Sequence, residues 1–324
     1  MKIFITGATG FIGRNLVQEL SKDKNYEIFC LVRNYKKAKA LEPLGVKLIY
    51  ADTAREHTLS KISRYNIDVI FHASGCVGGD KELLYKANVL STENICRLAL
   101  NLNVKKLIYL SSVAVVSGNP DIPLTEDLPY KATNIYGESK IQAEKKILEF
   151  RDKGLKAIIL RPCMVYGEGE PHLLGRLCFL IKHRLFPLID NGKKKLHLVY
   201  VKNVVDAVIH SLKKDEFLEG SFFVADNEVL TVKEIFDIIA KTINAPSSWN
   251  LPSFIKPILL KVPYLGRRLR FFLKDRIYSI ERIKSLGFNP PHSAESSLAK
   301  AARYFLNEKK RNLNNEPCDK HNHR

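Results

Sequence analysis

The first half of the chain alternates short β-rich runs with helical patterns, and this alternation constrains the fold more than any other feature. The six β-rich runs are residues 2–6, 27–33, 47–50, 68–72, 105–112 and 156–161. Several are continuously apolar instead of alternating, which is typical of strands buried on both faces of a sheet. The pattern predicts an α/β fold, a doubly wound parallel sheet of the Rossmann type covered by helices on both sides.

A glycine-rich loop follows the first predicted strand and opens a helical pattern. It reads Thr-Gly-Ala-Thr-Gly-Phe-Ile-Gly over residues 6–13. Glycines at this point permit a tight turn and close approach of the backbone to a pyrophosphate, while the free N–H groups of a helix N-terminus favour an anion. The loop therefore predicts a dinucleotide site. Its contacts are assigned to Gly7, Thr9, Gly10, Phe11, Ile12 and Gly13.

Residues at the ends of the next predicted strands complete this cofactor site. Arg33 ends the second run, 20 residues after Gly13, where an NAD site usually carries an acidic residue. Unless its side chain only faces solvent, an arginine there suits a 2′-phosphate, so we predict NADP or NAD as cofactor, with NADP favoured. Asp52 follows the third run and is predicted to touch the adenine. Ala73 and Ser74 follow the fourth and are small enough to let the cofactor pass.

The chain divides after this region. Alternation loosens beyond residue 162, Gly and Pro become frequent, and helical patterns cover 204–213 and 232–243. We predict a dinucleotide-binding domain over 1–165 and a smaller lobe over 166–310 that is mainly substrate-binding, with 196–213 returning to the first domain. The polar tail, 311–324, is predicted to be disordered.

A serine, a tyrosine and a lysine form the predicted catalytic group. Tyr136 and Lys140 are four residues apart on a predicted helix and hence share one face. A phenol with a pKa of about 10 is a weak base at neutral pH, but a neighbouring ammonium favours the phenolate. Ser112 closes the fifth predicted strand, so it emerges at the edge of the sheet where ligands bind.

With these features together, the chain resembles the extended short-chain dehydrogenase/reductase superfamily, in particular the NAD-dependent epimerase/dehydratase family. The resemblance runs from Met1 to about Phe305. It implies that Ser112, Tyr136 and Lys140 are catalytic and that Lys140 also binds the nicotinamide ribose.

Further residues gain roles only through this resemblance. The segment 161–167 matches the family's R-P-x-x-V-Y-G, which implies that Pro162 lies near the nicotinamide. Arg161 and Asp206, which match family motifs, could equally be structural ion-pair partners. The substrate contacts implied are Asn88, Val113, Cys163 and Lys195.

The chemistry can be narrowed within the family. Its sugar dehydratases carry an acidic pair just after the strand-end hydroxyl residue, whereas this chain has Val113 and Ala114 there. We therefore expect an NAD(P)-dependent oxidoreductase or epimerase that interconverts an alcohol and a ketone. Arg33 favours a reductase, because epimerases of this kind typically hold NAD.

Two hypotheses remain for the substrate class, a nucleotide-sugar and an apolar alcohol or ketone. Many nucleotide-sugar members grip the diphosphate with an arginine where this chain has Leu196, and the adjacent Lys195 is an imperfect replacement. The same stretch also resembles the 3β-hydroxysteroid dehydrogenase branch, whose substrates are apolar. The cationic charge and the epimerase-like sequence favour a nucleotide-sugar, through a 4-keto-sugar reductase or a sugar epimerase. A non-catalytic protein that senses the cofactor or binds RNA is the alternative of another class.

The amino-acid composition limits the kinds of ligand and partner that are expected. An excess of 52 Lys and Arg over 34 Asp and Glu gives a net charge of +18, which favours an anionic small-molecule substrate, and no specific nucleic acid is expected. The six cysteines lack paired spacing, so reduced thiols, no metal and a cytoplasmic location are expected. The tail residues Cys318, His321 and His323 lie in a polar terminus and are not expected to bind a metal. Weak membrane-surface contact through 249–276, and a homodimer, are left open.

Overall fold

A seven-stranded parallel sheet forms the centre of the protein. The computed structural model describes residues 1–218, 220–252, 254, 261–262 and 272–314. The strands are β1 (Lys2–Thr6), β2 (Glu27–Val32), β3 (Lys47–Tyr50), β4 (Val69–His72), β5 (Lys106–Leu110), β6 (Ala157–Pro162) and, late in the chain, Ser221–Val224. Spatially they run β3-β2-β1-β4-β5-β6 with Ser221–Val224 at the far edge. The predicted doubly wound fold is confirmed.

The sheet differs from the sequence prediction in two details. The strand Ser221–Val224 was not predicted, because it lies where the regular alternation of strands and helices is lost. Two predicted strands also end early, at Val32 and Leu110. Arg33 and Ser112 consequently follow their strands instead of belonging to them.

Helices cover both faces of the sheet. On one side lie α1 (Phe11–Leu20) and a later helix, Val201–Lys213; on the other lie Ser91–Asn101 and Ile135–Arg151. Within β1, Ile3 and Ile5 join the first apolar cluster and Phe4 joins the second, since successive side chains in a strand point to opposite faces. The sheet is thus buried on both sides, as its continuously apolar strands indicate.

Among the described residues, the helices that follow α1 in chain order are α2 (Tyr35–Ala38), α3 (Lys81–Leu84), α4 (Ser91–Asn101), α5 (Ile135–Arg151), α6 (Leu174–Lys182), α7 (Val201–Lys213), α8 (Val232–Thr242), α9 (Glu281–Ser285) and α10 (Ala294–Asn314). The short strands are β7 (Met164–Tyr166), β8 (Lys195–Leu196), β9 (Leu198–Tyr200) and β11 (Leu230–Thr231), with Ser221–Val224 as β10. Segments of 3₁₀ helix, the longest of them Glu56–Tyr65, and one π-helical segment, Tyr85–Leu90, complete the described structure.

A smaller lobe lies beside the carboxyl ends of the strands. In it α6, α8 and α10 pack together around a third apolar cluster, while β7 pairs with β9 and β8 with β11. Helix α8 begins with a capping box, in which Thr231 and Glu234 exchange hydrogen bonds. The lobe and the sheet leave a cleft between them.

Some expectations fall wholly or partly outside the described residues. The tail with Cys318, His321 and His323 is one of them, and most of the basic segment 249–276 is another. Within the described part of the chain, no helix combines the length and apolar character needed to cross a bilayer. The same residues contain no cluster of three or more potential metal ligands.

Candidate active site

The glycine loop has a backbone that only glycine can adopt. Gly7 has a φ of +71°, and a Cβ on it would lie 2.6 Å from the carbonyl carbon of Ala73. A Cβ on Gly13 would lie 2.2 Å from the carbonyl oxygen of Gly7. Helix α1 follows with Gly10 at its N-cap, without a side-chain cap or an acidic residue in its first turn. These contacts leave the first N–H groups of α1 facing a cradle that fits a pyrophosphate.

The loop lies at the point where strand order reverses. Strands β1 and β4 are neighbours there, and the chain leaves them in opposite directions, which is where doubly wound sheets bind ligands. A cavity of about 740 Å³ opens at this crevice. From the sequence predictions it brings together Gly7, Gly10, Phe11, Ile12, Gly13, Ala73, Ser112, Tyr136, Lys140, Pro162 and Cys163.

Four residues assigned to the cofactor do not line this cavity. Thr9 is half-buried in the loop, and the hydroxyl of Ser74 donates to that of Thr6 at 3.0 Å. Asp52 accepts a hydrogen bond from the Ala54 N–H at 3.0 Å. Arg33 is exposed just beyond the end of β2. Both Arg33 and Asp52 follow strands on the β2–β3 side of the switch point.

Ser112 and Tyr136 approach each other from two elements. Ser112 follows β5 in an extended conformation, and its Oγ accepts from the Ala114 N–H at 3.2 Å, which starts a 3₁₀ turn. Tyr136 is in the first turn of α5, which Asn134 caps by accepting from the Gly137 N–H at 2.9 Å. The two hydroxyls are close enough to interact. Burial raises the pKa of Tyr136 and the contact with Ser112 opposes this, so the phenol is protonated at neutral pH.

Lys140 is buried one helical turn later. Its Nζ donates to the Leu110 carbonyl at 2.8 Å and to the Tyr109 hydroxyl at 3.1 Å, and it lies 4.8 Å from the centre of the Tyr109 ring. Burial lowers the pKa of Lys140 to about 8, while Glu144 acts to raise it. The expected lowering of the Tyr136 pKa by this ammonium is not seen, because the ammonium is held against β5 and burial dominates at Tyr136.

A series of buried polar side chains, linked by hydrogen bonds, holds Tyr109 in place. Its hydroxyl contacts Thr92, and Thr92 contacts the His72 ring at 3.1 Å. The other ring nitrogen of His72 is 2.7 Å from the Thr6 hydroxyl. Burial lowers the pKa of His72 to about 3, so the imidazole is neutral. This series of side chains fixes the tyrosine on which the Lys140 ammonium rests.

Glu144 is the centre of a second buried network. Its carboxylate receives Arg161 Nε at 3.0 Å and Nη2 at 2.6 Å, together with the hydroxyls of Tyr130, at 2.8 Å, and Ser111. Glu144 is 0% and Arg161 4% exposed. The network joins the residue after β5 with β6 and α5, next to the predicted catalytic group. Arg161 is thus a structural ion-pair partner, and Asp206 similarly lies 3.3 Å from His292.

The implied substrate residues are only partly brought together. Cys163 lines the cavity, but Val113 is buried in the first apolar cluster and Lys195 is exposed outside the lining. Asn88 is 1% exposed, and its amide bonds the backbone of Cys76, at 2.8 and 2.9 Å, and the Ser139 hydroxyl at 2.8 Å. It therefore holds the loop after β4 against α5 instead of facing a substrate.

Sequence reasoning missed Tyr109, His72 and Glu144. For Glu144 a signal existed, because it lies four residues after Lys140 and so shares the buried face of α5. The other two lie within strands whose apolar pattern gives no indication of partners across the sheet.

The comparisons with known proteins agree with this geometry. Residues 3–225 match the model of the NAD dependent epimerase/dehydratase family. The chain is 26% identical to a 4-hydroxy-2-methyl-3-oxo-4-farnesyl-3,4-dihydroquinoline-1-oxide ketoreductase of Stigmatella aurantiaca, covering 75% of this chain and 73% of that protein. It is also 26% identical to a UDP-glucose 4-epimerase of Vibrio cholerae, covering 94% of this chain and 95% of that one.

A solved structure of similar fold is the UDP-glucuronic acid 4-epimerase from Bacillus cereus in complex with NAD. It superposes with a TM-score of 0.80 at 20% identity, covering 95% of this chain and 99% of that one. The family model spans well over half of the chain and includes the glycine loop, Ser112, Tyr136 and Lys140. The chain therefore belongs to the NAD dependent epimerase/dehydratase family.

Proposed function

We propose that this protein is an NAD(P)-dependent oxidoreductase that interconverts a ketone and a secondary alcohol, acting mainly as a reductase. The observation that carries the proposal is the pair of hydroxyls of Ser112 and Tyr136, which face the same cavity as the glycine loop. Such a pair can bind one carbonyl oxygen, next to a site that fits a dinucleotide.

The cofactor fits the cradle on structural grounds. Side chains are excluded at Gly7 and Gly13, and α1 presents uncapped N–H groups to the cleft. When bound, a nicotinamide cofactor would supply a hydride to the carbonyl carbon or accept one from the alcohol. We assign its binding to the loop residues, to Ala73 and Pro162 in the lining and to Lys140, with Arg33 and Asp52 at the adenosine end.

The residues of the chain then handle the oxygen and its proton. In ketone reduction, the Ser112 hydroxyl donates a hydrogen bond to the substrate oxygen and Tyr136 donates its proton to that oxygen as the alcohol forms. Because the Tyr136 phenol is protonated in the free protein, it is already in the state that donation requires. In the free protein the Lys140 ammonium is held against β5; we assign to it, as the buried cation one helical turn away, the stabilisation of the phenolate once the proton has been transferred.

Water elimination is not part of the proposal. A dehydratase needs a titratable group beside the strand-end serine, and Val113 and Ala114 occupy those positions. In the structure Val113 is directed into the apolar core. The site can therefore move one proton to or from an oxygen, but lacks at these positions an acid for the removal of water.

The test follows the hydride. The purified protein is incubated with a panel of ketones and with NADH or NADPH deuterated at the transferable position, and products are analysed by mass spectrometry. We expect one deuterium on the carbinol carbon and net oxidation of an exchangeable cofactor. Tightly retained NAD with no net oxidation would indicate an epimerase, and no transfer to any carbonyl would contradict the proposal.

The cofactor preference depends on Arg33. No acidic side chain follows β2 before α2; Arg33 stands there instead, exposed and available to a 2′-phosphate. Arg33→Asp is expected to shift the ratio of kcat/KM for NADPH over NADH towards NADH by roughly 10- to 100-fold, the value of one lost charge-assisted hydrogen bond. The control is Lys22→Asp, which makes the same change of charge just beyond the C-terminal end of α1. This variant should leave the ratio unchanged. If the ratio of kcat/KM for NADPH over NADH is the same in both variants, Arg33 does not contact the cofactor.

A further inference from the structure

The part of the cavity beyond Tyr136 is lined by the lobe. Its wall includes Leu174 and Leu177 from α6, Leu198 from β9, Ile235 and Phe236 from α8, and Leu298 from α10. All six belong to the third apolar cluster of the protein. The lobe core is thus open towards the catalytic hydroxyls on one side, and an apolar ligand group there would contact the same side chains that hold the lobe together.

Cationic groups are scarce in this wall. Among the described lining residues, the one Lys or Arg is Lys140, and its ammonium is engaged with Leu110 and Tyr109. Leu196 lines the same cavity; it is 2% exposed and packs in the lobe core. The neighbouring Lys195 is exposed and lies outside the lining.

The N-terminus of α6 lies in this wall, and the carboxylate of Glu170 already occupies it. The carboxylate of Glu170 accepts the backbone N–H groups of His172, Leu173 and Leu174 at 2.7 to 2.8 Å, at the start of α6. Those donors are therefore not available to a substrate phosphate, and the carboxylate would repel one. A diphosphate in this part of the cavity would lose its hydration without gaining a cationic partner among the described residues.

We propose that this part of the cavity, formed by α6, α8, β9 and α10, binds a hydrocarbon group of the substrate, so that the protein acts on a neutral ketone or alcohol carried on a long apolar chain. The inference rests on the proposed function and names the substrate class of the same site. Burial of each methylene against the apolar wall supplies the binding free energy, and Ser112 with Tyr136 holds the one polar end.

The test is a series of unbranched 2-alkanones from 2-butanone to 2-decanone, reduced with NADPH and with NADH. We expect kcat/KM to rise about fourfold for each added methylene over the first several members of the series. This factor corresponds to the free energy of transferring one methylene from water to an apolar site. A flat or falling series would overturn the inference, as would preferential binding of UDP-glucose.

A binding measurement separates the two proposals. Calorimetric titration of the cofactor-loaded protein with 2-decanone, 2-butanone and UDP-glucose does not depend on turnover. Tighter binding of 2-decanone than of 2-butanone, without reduction of any ketone, would support the apolar site and contradict the proposed chemistry. Equal or undetectable binding of the two ketones would overturn the apolar site whatever the activity.

Two substitutions, one at the residue before α6 and one within α6, give a matched pair. Leu173 lines the cavity and is 38% exposed, whereas Phe179, on α6, is 46% exposed and lies outside the lining. Leu173→Gln is expected to lower kcat/KM for 2-decanone about tenfold and to change the value for 2-butanone less than about twofold. Phe179→Gln should change neither. Equal losses on both ketones, or equal effects of both variants, would count against the site.

Discussion

Replacement of Tyr136 by phenylalanine is expected to lower kcat for ketone reduction by about 10²- to 10⁴-fold, the usual contribution of a positioned proton donor. The substitution removes one hydroxyl and keeps the ring that lines the cavity. No other phenol is described in contact with Ser112, so no neighbouring group replaces the lost donor. The KM for the cofactor should change little, because the glycine loop is untouched.

The control is Tyr85→Phe, which removes a phenol from an exposed position on the π-helical segment and should retain full activity. Steady-state kinetics of both variants, with circular dichroism to establish folding, make the comparison. If Tyr136→Phe retains more than about a tenth of the wild-type kcat, the phenol is not the proton donor.

The pH profile gives a second readout of the same group. In the proposed mechanism, ketone reduction needs a protonated Tyr136 and a charged Lys140, and both forms are lost as pH rises. Burial places the pKa of Lys140 at about 8 and keeps that of Tyr136 above its usual value. The rate of reduction should therefore fall as pH rises through about 8. Lys140→Met should lose most of the activity, and the activity that remains should no longer fall near pH 8.

The largest expected effect on stability comes from Glu144. Glu144→Ala should lower the free energy of unfolding by about 3–5 kcal/mol, because it leaves the Arg161 guanidinium buried without its carboxylate. The two paired contacts, at 3.0 and 2.6 Å, would be lost, as would the acceptor of Tyr130 and Ser111. This is a large share of a typical total stability of about 5–15 kcal/mol.

Helix α5 contains its own control for this change. Glu149 pairs with Lys146 at 2.9 Å, but its side chain is 52% exposed, so Glu149→Ala should cost no more than about 1 kcal/mol. Denaturant unfolding measures both variants. The double change Glu144→Met with Arg161→Met should cost less than Glu144→Ala alone, since no buried charge is then unpaired. Similar losses for Glu144→Ala and Glu149→Ala would show that the buried pair has no special weight.

Local patterns in the sequence were enough for much of this site. Continuously apolar strands predicted the parallel sheet, and the glycine loop predicted a backbone that excludes Cβ atoms, which Gly7 and Gly13 show. The four-residue spacing of Tyr136 and Lys140 placed both on α5, and Ser112 at a strand end brought it to the same cleft. The family and the fold are confirmed, while the preference for NADP stays a prediction.

Contacts between distant parts of the chain were settled by the tertiary structure. It directed the Lys140 ammonium to Tyr109 and Leu110, turned the Asn88 amide towards Cys76 and Ser139, and paired Glu144 with Arg161. It also added Ser221–Val224 to the sheet and brought leucines of the lobe into the cavity that Tyr136 lines.

The physical reason for this division is the range of the forces involved. Helix and strand periodicity and the sterics of glycine act over a few residues, so the sequence alone determined most elements of the first half of the chain and the positions of Ser112, Tyr136 and Lys140 relative to them. Which face meets which depends on how the crossovers pack across the sheet. The partners of Lys140, the burial of Glu144 and the apolar character of the cavity therefore became visible only in the folded chain.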